Sequence, residues 1–142
     1  MDIHSLERFV QAQARMYAFA YKEIVNGKKR SHWMWFIFPQ LRGLGRSTMA
    51  YTYGIAGREE ALAYLAHPIL SARLTEITEA LLALHGKTAV EIFGDIDTVK
   101  LRSSMTLFAY LSENGSIFHR VLETYFQGEN DPKTLALLEK GH

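Results

Sequence analysis

The chain has 142 residues, 48% of them hydrophobic, which suits one domain with a substantial core and is too short for two ordinary ones, so residues 1–142 are expected to form a single domain. Lys and Arg number 16 against 15 Asp and Glu, so no global basic excess draws the chain to nucleic acid or to an anionic membrane. The lack of cysteine excludes a disulfide framework, a thiolate nucleophile and Cys-based zinc or iron–sulfur sites.

In chain order, Ile3, Leu6, Phe9, Val10, Met16, Tyr17, Ala20, Tyr21 and Ile24 recur at three- and four-residue spacing, and Asn26-Gly27 supplies a stop. This pattern predicts an amphipathic first helix. Charged residues interrupt Met1 to Val10, so no secretory leader is read there, and the default location is cytoplasmic. Ser31 can cap a short buried helix through Phe38 that Pro39 ends, although six apolar residues in a row also fit a buried strand. The same run, Trp33 to Phe38, falls far short of the ~20 residues that a membrane span needs. Ser47 can cap Thr48 to Tyr53, and Arg58 to Ala66 reads as a further helix. Pro68 suits a first helical position, and the stripe Ile69, Leu70, Leu74, Ile77, Leu81 and Leu84 follows it.

Thr88 and Glu91 have capping-box spacing before a short segment that Gly94 would end, and Asp97 can cap a helix to about Leu111. Ser116 opens another, with Gly128 as its stop, and Asp131-Pro132 starts a last helix over Lys133 to Glu139. No segment alternates with period two, and no fixed-length repeat occurs. The expected fold is all-α, one compact multihelical domain of about six to eight helices.

Several polar residues fall where the helical pattern wants apolar ones. Gln13 lies inside the apolar arc of the first helix and must satisfy its amide. Lys100 and Ser104 sit in or beside the stripe Leu101, Met105, Phe108 and Leu111. A lysine there must reach outward, pair with Asp95 or Asp97, or face an anionic ligand. Between these helices the run Lys28-Lys29-Arg30-Ser31-His32-Trp33-Met34-Trp35-Phe36-Ile37-Phe38-Pro39-Gln40-Leu41-Arg42-Gly43-Leu44-Gly45-Arg46 joins cations to aromatics. Arginine forks bind phosphate oxygens, aromatic faces stack on rings, and glycines let backbone N–H groups approach an anion. His32, at the boundary of charge and apolar surface, is the candidate acid or base if the protein is an enzyme. The six histidines show no HExxH or i, i+4 pairing, and no Walker loop or Gly-x-Ser-x-Gly elbow occurs, so no metal or nucleotide-hydrolase motif is predicted. No cofactor follows from the sequence.

The stretch from Lys28 to Ser47 resembles the signature of the bacterial domain-of-unknown-function family 1810. The likeness continues in Phe9-Val10-Gln11-Ala12-Gln13, Glu60-Ala61, Tyr64-Leu65, His67-Pro68 and Lys100 to Phe108. It ends with Gly128, Asp131 and Thr134-Leu135. The resemblance implies a compact, mostly helical single domain and brings no catalytic residues. A calpastatin label sometimes attached to the family does not fit, because calpain inhibitors are disordered repeats and this chain is core-rich. The family's motifs include Gln13, His32, Gln40, Lys100 and Ser104.

These readings predict a cleft between the Ser31–Gln40 segment and the Lys100 helix that takes a small anionic ligand of nucleotide or sugar-phosphate kind. Arg30, Arg42 and Lys100 would balance charge, Trp33 or Trp35 would stack, and Gln13, His32, Gln40 and Ser104 would orient. One alternative is a protein-interaction or homo-oligomerisation module, marked by Phe19 opposite the first helix's core face. Another is weak nucleic-acid binding through the Lys28 to Arg46 cations, which the balanced charge disfavours.

Overall fold

The computed structural model describes residues 4–141, and Ile3 of the predicted first stripe lies outside them. Eight helices form among the described residues: α1 (Glu7–Val25), α2 (Met34–Ile37), α3 (Thr48–Thr52), α4 (Arg58–Ala66), α5 (Pro68–Leu82), α6 (Ala89–Tyr110), α7 (Ile117–Phe126) and α8 (Pro132–Gly141). The all-α prediction holds. The sole β-type pairing among the described residues is a parallel bridge between Leu41 and Ile55. In it Arg42 N donates to Ile55 O at 2.8 Å and Ile55 N to Gln40 O at 2.9 Å. Gly54 beside the bridge must be a glycine, since a Cβ there would lie 2.7 Å from the Arg42 Cα. None of the helices is long and apolar enough to cross a membrane.

Helix α1 packs on α5, α5 on α7, α7 on α6 and α6 on α8, while α4 joins α5 to α6 and α2 lies on α1. Their apolar faces meet in one core, through which a chain of aromatic contacts runs from Phe9 to Tyr64, Phe108 and Phe118 with ring centres 5.3–5.6 Å apart. The caps explain most of the boundaries. Ser47 Oγ accepts from Ala50 N, Thr88 and Glu91 form the full capping box, and Ser116 Oγ accepts from His119 N. His67 is a less common cap: its Nδ1 accepts from Ile69 N and Leu70 N just ahead of Pro68.

Two predicted caps are corrected. Ser31 does not cap α2, because its Oγ donates to Glu23 Oε2 at 2.6 Å and the helix starts only at Met34. Asp97 does not open a helix, because α6 resumes directly after Gly94 (φ 82°, ψ 172°), so Asp97 lies within it. Gly94 therefore ends the short segment that starts at Ala89, as expected, and the helical segment that carries Asp97 and Lys100 begins directly after it; the conformation is open essentially to glycine alone.

Candidate functional site

Trp35, Gln40 and Lys100 line one small depression, walled further by Met34, Phe38 and Tyr53. Its enclosed volume is about 10 Å³, the scale of a single water molecule. Short helix α2 presents Trp35, the bridge at Leu41 holds the neighbouring Gln40 backbone, and α6 supplies Lys100. The Lys100 ammonium lies 5.0 Å from the Trp35 ring centre, within cation–π range. Its nearest carboxylate oxygen, Asp97 Oδ1, is 3.8 Å away, whereas Asp97 Oδ2 binds Lys29 Nζ at 2.8 Å. The carboxylate thus serves Lys29 first. Two buried polar atoms close by in the fold lack hydrogen-bond partners among the described residues, Trp35 Nε1 and Ser104 Oγ. Ser104 follows Lys100 by four residues on α6, hence on the same helical face.

The remaining predicted site residues lie elsewhere. Gln13 is buried in the core, where Nε2 donates to Phe36 O at 2.7 Å and to Tyr64 Oη at 3.0 Å, and Oε1 accepts from Arg73 Nη1. It satisfies a carbonyl that so short a helix leaves orphaned. Trp33 is completely buried, with Nε1 donating to Glu23 Oε1 at 2.9 Å, so it offers no ring face to a ligand. Arg30 and His32 are exposed on the loop before α2 and do not line the depression. Arg42 lies over the Tyr51 ring at 4.7 Å, donates from Nε to Tyr51 O, and lines a different cavity. Of the nine predicted site residues the structure brings three to one depression, with Ser104 one turn from them.

A family model described as a protein of unknown function, DUF1810, matches residues 3–138. The chain belongs to the DUF1810 family. It is also similar to the crystal structure of the conserved hypothetical protein Rv1873 from Mycobacterium tuberculosis. The two are 48% identical with a TM-score of 0.94 over 97% of this chain and 99% of that one. No curated protein matches the chain.

Two residues that organise this DUF1810 chain, Arg8 and Glu23, escape the sequence pattern, and a third, Asp97, is expected from it to cap a helix or to pair with Lys100 but not with Lys29. Arg8 is buried and uses all five N–H donors: Nε to Thr52 O, Nη1 to Ser5 O and Glu60 Oε2, Nη2 to Gly54 O and Glu60 Oε1. Glu23 gathers the loop before α2 by accepting from Arg30 N, Ser31 N, Ser31 Oγ and Trp33 Nε1. Partial burial would raise the Glu23 pKa, but these four donors outweigh it and lower it to about 2. Asp97 then ties the same loop to α6 through Lys29. No periodic signal marks Arg8 or Glu23, because their partners lie outside α1: Ser5, Thr52, Gly54 and Glu60 of α4 for Arg8, and the loop before α2 for Glu23. Among the described residues no group of three or more His, Asp or Glu side chains is placed to hold a metal ion.

Proposed function

We propose that the protein binds a small anionic ligand, a nucleotide or sugar phosphate, at the depression formed by Trp35, Gln40 and Lys100. The observation that carries this reading is the Lys100 ammonium over the Trp35 ring, with Trp35 Nε1 and Ser104 Oγ buried and unpartnered. An ammonium, an indole N–H and a carboxamide are donors to anionic oxygen. The small volume allows one oxygen-bearing group to enter, with the body of the ligand outside it. His32 stays the candidate acid or base only for a ligand that extends back to the loop before α2.

A thermal-shift series with inorganic phosphate, AMP, ADP-ribose and ribose 5-phosphate tests this, since a ligand specific for the native state raises its melting temperature. At least one phosphorylated compound is expected to raise Tm in the wild type and to lose that effect in Lys100→Ala and Trp35→Phe. No shift with any of them, or an equal shift in both variants, would sink the proposal.

A rival reading, a self-association module, rests on Phe19, which is 59% exposed on α1. It expects a stable dimer that Phe19→Glu converts to monomer in sedimentation, with Lys100→Ala silent. Weak nucleic-acid binding would instead use Lys28, Arg30 and Arg46, all exposed, and would show as salt-dependent retention on DNA or RNA.

A further inference from the structure

A cavity of about 250 Å³ opens where the end of α6, the turn after it, the start of α7 and the approach to α8 meet. It shares no lining residue with the Lys100 depression. Tyr110, Ser112, Asn114, His119 and Asn130 bring five hydrogen-bonding side chains to it, and no Asp, Glu, Lys or Arg is among the described residues that line it.

Three of the five are held by the protein with hydrogen-bonding capacity to spare. Tyr110 Oη accepts from Arg58 Nη2 at 3.3 Å, which leaves its own O–H to donate. Ser112 Oγ donates to Phe108 O at 2.7 Å and keeps its lone pairs. His119 Nδ1 shares a 2.7 Å hydrogen bond with Ser116 Oγ, the α7 cap, so Nε2 remains. The other two are carboxamides. Arg102 Nη2 fixes the Asn130 backbone through its carbonyl at 2.6 Å, whereas neither the Asn130 nor the Asn114 side chain has a hydrogen-bond partner among the described residues.

Such a lining offers no counter-charge, so an ion entering it would lose hydration without compensation. A neutral molecule with several hydroxyls loses little, because each hydroxyl donates and accepts as the water it displaces did. Ala109, Leu135 and the partly exposed Tyr110 ring supply apolar surface for the C–H face of a saturated ring. The volume is about eight times the ~30 Å³ of one water, which suits one such ring and not two. Because Tyr110, Ser112 and His119 are held in advance, little of their side-chain freedom is lost on binding.

We propose that this cavity is a binding site for a neutral monosaccharide. The two carboxamides, Tyr110 Oη, Ser112 Oγ and His119 Nε2 take its hydroxyls, and its C–H face lies against Leu135 and Tyr110. The site is independent of the Lys100 reading, and either can fail alone.

The test is an NMR titration of ¹⁵N-labelled full-length protein with D-glucose, D-galactose, D-mannose and D-ribose, with glycerol as the control that has hydroxyls but no ring. At least one sugar is expected to move the backbone amides of Ser112, Asn114, His119 and Leu135 and the side-chain amide signals of Asn114 and Asn130. Its Kd should not change between low and high salt, since no ion pair forms. Glycerol should bind more weakly than that sugar. Asn114→Ala and Asn130→Ala are each expected to weaken binding about tenfold. Both replace exposed residues, so the remainder of the spectrum reports that the fold is intact. No shift with any of the four sugars, equal binding of glycerol, a Kd that rises with salt, unchanged Kd in both variants, or shifts confined to the surroundings of Lys100 would each overturn the proposal.

Discussion

Arg8 and Glu60 form a two-pronged ion pair, Nη1 to Oε2 and Nη2 to Oε1 both at 3.0 Å, with the arginine side chain wholly shielded from solvent. The pair fastens the start of α1 to α4, and the three further bonds of Arg8 to backbone carbonyls secure the turns at Ser5, Thr52 and Gly54. Removing one partner leaves a buried charge uncompensated, so Glu60→Gln or Arg8→Ala is expected to cost ~3–5 kcal/mol in denaturant unfolding. Arg8→Lys should recover little of that loss, because an ammonium cannot reproduce the planar fork. An Arg8→Lys variant as stable as wild type would refute this account.

Glu23 makes stability depend on acid. Its carboxyl sits at about 2 in the folded protein against an ordinary value of 4.5, because four donors favour the charged form despite partial burial. The folded-state value is depressed, so the contribution is complete above about pH 4.5 and is lost as pH falls from there toward 2. Glu23→Gln is therefore expected to be less stable than wild type at pH 7, with the gap closing across that window. Chemical denaturation at pH 7, 4 and 2.5 checks it, and a gap independent of pH would contradict it.

Gln13 illustrates a buried amide fully employed. Gln13→Leu keeps the apolar volume but leaves the Phe36 carbonyl without its donor and removes a bond to Tyr64 Oη. A loss of ~1–3 kcal/mol is expected, the cost of one buried unsatisfied polar group. Hydrogen exchange should quicken in α2 before it does in α7.

At Gly94 the cost is backbone alone, since a Cβ built there meets nothing within 4 Å. With φ 82° and ψ 172° the residue lies outside the left-handed helical region that asparagine tolerates. Gly94→Ala and Gly94→Asn are thus expected to destabilise alike, by ~1–3 kcal/mol. A thermal melt that found asparagine neutral and alanine costly would show that the glycine serves a different purpose.

Local chemistry made much of this fold legible. Ser47, the Thr88–Glu91 box, Ser116 and the Asp131-Pro132 pair each satisfy N–H groups within three or four residues, so sequence alone locates them. Ser31 and Asp97 have the same residue types and failed as caps. Glu23 takes the Ser31 hydroxyl, and Lys29, far away in sequence, takes the Asp97 carboxylate. Arg8 lies about 100° around the helix from Phe9, off the core stripe, and all but one of its hydrogen bonds go to groups 44 to 52 residues further along. Within the candidate site, the meeting of Lys100 with Trp35 and Gln40 was visible as polar residues out of pattern. The inward turn of Trp33 was not, because nothing in an aromatic run says which ring faces the core.

The two tryptophans differ in a way that light can read. Each ring has an ammonium 5.0 Å from its centre, Lys29 for Trp33 and Lys100 for Trp35, but Trp33 is sealed with its indole N–H tied to a carboxylate, whereas Trp35 is half-buried and its indole N–H has no partner among the described residues. Emission from the first should stay constant as long as the protein is folded, while the second responds to any charge that reaches or leaves Lys100. The protein therefore carries its own optical reporter for that position, calibrated against a reference two residues away.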